Sequence, residues 1–209
     1  MLQTTTLAER TLVLLKQLQQ LPELQTLRLV GGTALALQLG HRKSVDLDFF
    51  GAFDMSREEL VDAIKKRGFE VLSKNESSSI HLLEIDKVKV DIVRYRYEWL
   101  DAPVEEDGVR MAGLKDISAM KMAAITNRGS RKDFVDVYFL LQHFPLSQIM
   151  ELYLKKYPDG SLFNVMRSLI YFVDAEEKPM PDMLVDVSWD NMKSAIQKEV
   201  AIYSKSSLK

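Results

Sequence analysis

The feature that most restricts how this 209-residue chain can fold is the placement of its two hydrophobic periodicities. Alternation with a period of two, the mark of a half-buried strand, is confined to the first half of the chain. Apolar residues recurring every three or four positions, the mark of an amphipathic helix, dominate the second. In the first half, leucines at 12, 14, 15, 18 and 21 predict a helix over 7–21, ended by Pro22. A short strand is predicted over 27–30 and is stopped by Gly31-Gly32. A helical run over 33–39, a polar basic loop over 40–44 and a strand over 45–50 follow. Ser56 with Glu59 three residues later forms a capping box that opens a helix to about residue 66. Strands are predicted over 70–73, 80–85 and 88–93, with Asp86-Lys87 as a two-residue hairpin turn. The acidic, proline-containing stretch 101–108 reads as a loop and a boundary. Beyond it helices are predicted over 115–127, 132–143, 147–157, 161–173 and 190–203, with a loop over 175–182. The expectation is an α+β chain: a mixed β-sheet with flanking helices over 1–108, then a C-terminal helical bundle over 109–209, with the functional cleft between the halves.

Composition narrows the chemistry. The chain has no cysteine, which excludes disulfides, thiolate zinc sites, cysteine-bound iron–sulfur clusters and a cysteine nucleophile. Its three histidines, His41, His81 and His143, are too scattered for a histidine cage. Any metal is therefore held mainly by oxygen. A net charge of −2 excludes a broadly cationic nucleic-acid surface and leaves only local basic patches. No run of about 18 apolar residues is present, and the polar N-terminus lacks an apolar core, so a cytoplasmic protein with no membrane association is expected.

The most informative stretch runs from Leu29 to Gly51, LVGGTALALQLGHRKSVDLDFFG. Asp46 and Asp48 are two apart on a predicted strand, so their side chains share a face, while Leu47 and Phe49 take the other. Two such carboxylates bracket a divalent cation or simply mark an exposed edge. Gly31-Gly32-Thr33 follows a strand and opens a helix. That turn exposes backbone N–H groups suited to a triphosphate, and glycine pairs also serve as plain tight turns. Thirteen residues separate Gly32 from Asp46. Asp91 lies opposite the apolar face formed by Val88, Val90 and Ile92, beside Lys89. It reads either as a third metal-binding carboxylate and base, or as a surface acid paired with Lys89.

In the helical half, Lys121 and Asp136 are each the only charged residue in an apolar stretch. Each therefore needs a partner or a task. Either they salt-bridge each other between adjacent helices, or Lys121 holds phosphates and Asp136 orients it. Arg42, Lys121 and Arg128 are the candidates for a local phosphate- or RNA-binding patch.

Taken together, Gly31-Gly32-Thr33, then Arg42, Ser44, Asp46, Asp48, Phe49 and Phe50, then Lys121, then Arg131-Lys132-Asp133-Phe134, Asp136 and Tyr138, resemble the AbiEii/AbiGii-type nucleotidyltransferase toxins. These belong to the DNA polymerase β-like nucleotidyltransferase superfamily. The resemblance implies a nucleotidyltransferase-like fold, an NTP co-substrate and Mg2+. It implies that Asp46 and Asp48 bind metal, that Gly31, Gly32, Thr33 and Arg42 lie near the nucleotide, and that Lys121 and Asp136 are the family's essential lysine and aspartate. Ser44 matches a family serine near the nucleotide, itself modified in some members. The superfamily often has Gly-Ser where this chain has Gly31-Gly32, and its third carboxylate, here Asp91, is less fixed in this family. The resemblance further implies a toxin with a cognate antitoxin, transferring nucleotides to the 3′ end of tRNA. A small-molecule or protein nucleotidyltransferase and a catalytically silent nucleotide- or RNA-binding module are the alternatives.

Overall fold

Backbone pairing gathers seven strands into one mixed sheet in the order β3-β4-β5-β2-β1-β7-β6. The strands are β1 (Arg28–Leu29), β2 (Leu47–Gly51), β3 (Val71–Ser77), β4 (Ile80–Ile85), β5 (Val88–Arg94), β6 (Val104–Glu106) and β7 (Val109–Met111). The computed structural model describes residues 1–77 and 79–206. The chain forms two compact units, Met1–Arg96 with Pro103–Ala112, and Tyr97–Ala102 with Gly113–Lys209.

The first unit holds the sheet and three α-helices, α1 (Glu9–Gln19), α2 (Gly31–Leu39) and α3 (Arg57–Lys65). Local chemistry explains these elements. The capping box is present: Ser56 Oγ accepts from the Glu59 N–H at 3.2 Å, and Glu59 Oε2 accepts from the Ser56 N–H at 2.8 Å. Such a cap stabilises a helix start by about 1 kcal/mol. The β4–β5 hairpin turns on Asp86 and Lys87 with φ of 47° and 67°. That is the left-handed pair a tight hairpin demands, reached here without glycine. β2 and β5 pair in parallel, with Leu47 opposite Val90 and Asp48 opposite Asp91. Leu47, Phe49, Val90 and Ile92 are buried, so the acids are held on the opposite face.

The stretch expected as an acidic loop differs. Residues 104–106 and 109–111 are strands paired antiparallel, and β7 runs parallel to β1 with Met111 opposite Leu29. The Asp107-Gly108 turn, φ 51° and 77°, is a hairpin signal that the surrounding acidic composition obscured. The two units also differ from the expected division into 1–108 and 109–209. Pro103–Ala112 belongs with the sheet, and Tyr97–Ala102 belongs with the helices. A buried ion pair ties the latter segment down. Asp116 accepts from the Leu100 and Asp101 N–H groups at 3.0 and 3.2 Å and from Lys156 Nζ at 2.6 Å. Lys156 also donates to the Glu98 carbonyl at 2.9 Å and lies over the Trp99 ring.

The second unit contains α4 (Leu114–Asn127), α5 (Arg131–Leu140), α6 (Leu146–Lys156), α7 (Leu162–Leu169), α8 (Val173–Glu176) and α9 (Trp189–Ser206). α4 packs against α5, α6 and α7, and α9 also packs against those three. The helix expected over 161–173 stops at Leu169, and the short α8 starts at its expected end and runs two residues into the stretch read as a loop. Among the described residues, no helix is long and apolar enough to cross a membrane.

Candidate active site

Within the first unit, β2 and β5 carry a square of polar side chains on one face. Asp46 and Asp48 lie on one strand, Lys89 and Asp91 on the next. Asp48 and Asp91 are register partners, and Asp46 immediately precedes Leu47, the partner of Val90. Neighbouring strands are about 4.8 Å apart and i, i+2 residues about 6.7 Å apart, so three carboxylates and one ammonium converge on a small area. Lys89 Nζ donates to Asp91 Oδ2 at 2.8 Å. The hydrogen bond to Asp91, with the fields of Asp91, Asp48 and Asp46, holds the Lys89 ammonium above the usual lysine range against the opposing effect of its partial burial. The other Asp91 oxygen, Oδ1, is buried and accepts no hydrogen bond. An acceptor in this state is open to a further hydrogen bond, a ligand or a proton.

Gly31 abuts this square. Its φ of +68° is a backbone conformation that disfavours any side chain, and a Cβ placed there would lie 2.6 Å from Asp48 Oδ2. The start of α2 and the Asp48 carboxylate are therefore neighbours only because residue 31 is glycine. Thr33, which is fully buried, hydrogen-bonds through Oγ1 to the Asp46 carbonyl, and its oxygen lies 2.7 Å from Ser44 Oγ. With the single Thr33 proton committed to Asp46, Ser44 donates to Thr33. Thr33, expected as a hydroxyl donor near phosphate, fixes the backbone ahead of β2. Ser44 is fixed further by its N–H to the Thr6 carbonyl at 2.9 Å. Arg42, expected on an exposed basic loop, is only 4% exposed and donates to the Lys43 carbonyl.

The second unit has a different polar centre. Lys121 on α4 reaches Asp136 Oδ2 at 2.5 Å and Asp133 Oδ1 at 3.1 Å on α5, and all three residues are buried. Of the two sequence readings for this pair, the interhelical salt bridge is present. Lys121 is 3% exposed. Of the residues expected to form a basic patch, Arg42 and Lys121 are each buried within their own unit, whereas the Arg128 side chain is exposed. Asp133, to which the sequence reading gave no role, is the hub. Its carboxylate also takes a fork from Arg128 (Nε at 2.8 Å, Nη2 at 2.9 Å) and a bond from Ser130 Oγ at 2.6 Å. Burial pushes the Asp133 carboxyl upward, but Lys121, Arg128 and Ser130 outweigh it and hold the group well below the usual carboxylate range. The signal for this hub was in the sequence: a second acid three residues before Asp136 puts both on one face of α5.

Asp46, Asp48 and Asp91 suit a hard divalent cation. They offer oxygen donors only, one of them buried and unsatisfied, beside a turn that only glycine permits. Among the described residues, no three histidine or acidic side chains are placed closely enough to hold a metal ion by themselves. Mg2+ is normally held by one or two carboxylates and completed by water and substrate phosphates, so the fit rests on the donor chemistry of these acids.

Comparison with known proteins then decides the family. The family described as Nucleotidyl transferase AbiEii toxin, Type IV TA system, matches residues 13–201. The chain belongs to the AbiEii nucleotidyltransferase toxin family. An uncharacterised protein of Aquifex aeolicus is 35% identical over 186 residues, spanning 84% of this chain and 86% of that one. The fold is shared with JHP933 of Helicobacter pylori (TM-score 0.58, 19% identity, 96% of each chain covered). It is shared too with the nucleotidyltransferase toxin MenT4 of Mycobacterium tuberculosis (TM-score 0.56, 18% identity, 90% of this chain and 82% of that one). The protein is thus an AbiEii-family nucleotidyltransferase on the expected α+β scaffold.

Proposed function

We propose that this enzyme moves a nucleoside monophosphate from an NTP to the 3′-terminal hydroxyl of tRNA, acting as a toxin restrained by a cognate antitoxin. The observation that carries the reading is the open acidic face of β2 and β5 against Gly31. Family membership supports nucleotidyl transfer and the toxin–antitoxin setting.

In the proposed reaction the acceptor oxygen forms a bond to the α-phosphorus. The bond from that phosphorus to the pyrophosphate oxygen breaks, and pyrophosphate leaves with the electron pair. Asp46 and Asp48, with Asp91, are the residues that would hold Mg2+. The ion, when bound, supplies neutralising charge for the triphosphate and acidifies the acceptor hydroxyl. Asp91 Oδ1, buried and without a hydrogen bond, is the atom suited to take the acceptor proton. Thr33 holds the Asp46 backbone, and Gly31 leaves room for the Asp48 carboxylate. The Gly31-Gly32 turn offers backbone N–H groups to the phosphates. Lys121, neutralised by two carboxylates, acts with Asp136 and Asp133 as an anchor that sets α4 against α5.

Incubation of the purified protein with each labelled NTP and separate fractions of tRNA, protein and small hydroxyl acceptors tests this reading. The expected result is Mg2+-dependent label on the tRNA 3′ end. Label confined to protein or small acceptors would overturn the tRNA assignment, and no label anywhere would overturn transfer itself.

A further inference from the structure

The fourth corner of the acidic square is a lysine. β5 reads Val88-Lys89-Val90-Asp91, and the chain entering β2 reads Val45-Asp46-Leu47-Asp48. The two segments run parallel in register, so continuing the pairing one residue back from Leu47–Val90 sets Lys89 beside Asp46. The ammonium sits on Asp91 Oδ2 at 2.8 Å. The Lys89 side chain is 53% exposed, against 16% for Asp91. A cation is therefore already held among the three carboxylates on a flexible arm that enters from solvent. Only one oxygen of Asp91 is engaged, and the buried Oδ1 is left unsatisfied.

We propose that Lys89 is a displaceable counter-cation. It balances the clustered carboxylates of the free enzyme, and a divalent ion must drive its ammonium off Asp91 before Asp91 can serve. This rests on the proposed reading of Asp46, Asp48 and Asp91 as the metal-binding acids. It adds that the chain carries its own competitor for that site. Release is easy in physical terms: a half-exposed lysine regains water as it leaves, and exposed ion pairs of this kind are weak. Without Lys89, the three like charges would repel one another and bind a cation more readily.

The test is Mn2+ binding, measured by electron paramagnetic resonance on the full chain with and without a non-hydrolysable NTP. Wild type, Lys89→Met and the charge-preserving Lys89→Arg are compared, each checked for fold by circular dichroism. Lys89→Met is expected to bind Mn2+ about two- to fivefold more tightly, the scale set by a weak exposed ion pair. Lys89→Arg is expected to stay near wild type. Equal or weaker binding by Lys89→Met, with wild type binding Mn2+ normally, would overturn the counter-cation role and leave the metal reading intact. Tighter binding by Lys89→Arg as well would also overturn it, since loss of charge would not be the cause. Failure of every variant, wild type included, to bind Mn2+ would overturn the metal reading and the counter-cation with it.

Discussion

The two polar centres of this chain are built on opposite principles. On β2 and β5, three carboxylates lie around one half-exposed lysine, and a buried oxygen of Asp91 accepts no hydrogen bond. On α4 and α5, Lys121 and Arg128 meet Asp133 and Asp136. There the charges balance, and each Asp133 oxygen takes two bonds. The first keeps an open acceptor atom at Asp91, while in the second every Asp133 oxygen is engaged twice. A saturated buried network holds elements together, whereas an open acceptor is available to a ligand, which is the basis of the proposal for β2 and β5.

Substitutions should separate the two centres. Asp46→Ala or Asp48→Ala is expected to lower nucleotidyl transfer by about 10³-fold or more, the scale on which removal of charge-stabilising groups acts. Thermal unfolding should shift far less than in a variant of the buried Asp133 cluster. Asp133→Ala is expected to do the reverse, removing about 3–5 kcal/mol of stability by leaving Lys121 without one of its two carboxylates, as read by urea unfolding. The same group sets a pH limb. Its folded pKa is depressed, so its stabilisation is present above the unfolded value of about 4 and is lost as pH falls through the folded one. Unfolding midpoints taken from pH 7 downward should fall in wild type and fall less steeply in Asp133→Asn.

Smaller effects sharpen the contrast from the sheet side. Gly31→Ala should cost about 1–2 kcal/mol for its left-handed φ. Its Cβ would also press on Asp48, so transfer should fall further than stability explains. Thr33→Val should cost about 1 kcal/mol for the lost hydrogen bond to the Asp46 carbonyl, with a modest loss of turnover. Unfolding curves run beside initial rates check both.

Much of this was legible in the chain. The alternation around Asp46 and Asp48, the glycine turn and the capping box each rest on near-neighbour chemistry, and each is present. What was not legible depended on long-range partners. β6 and β7 are three residues each and gain their identity from pairing with each other and with β1. Arg42 looked like an exposed cation because its neighbours are polar, yet tertiary packing buries it. The register of Asp48 on Asp91 follows from parallel pairing across 43 positions, which no local pattern encodes. Lys121 looked like a phosphate ligand because a lone charge in an apolar helix needs a task. In the structure it pairs with two acids, of which the sequence reading had named one.

The central claim is that the open carboxylate face, and not the saturated cluster, receives the nucleotide's metal. Crystals grown with Mn2+ and a non-hydrolysable NTP, with data collected at the manganese edge, test it directly. The account predicts an anomalous peak within about 2.2 Å of carboxylate oxygens of Asp46 and Asp48. A nucleotide bound with its metal away from both residues would contradict it.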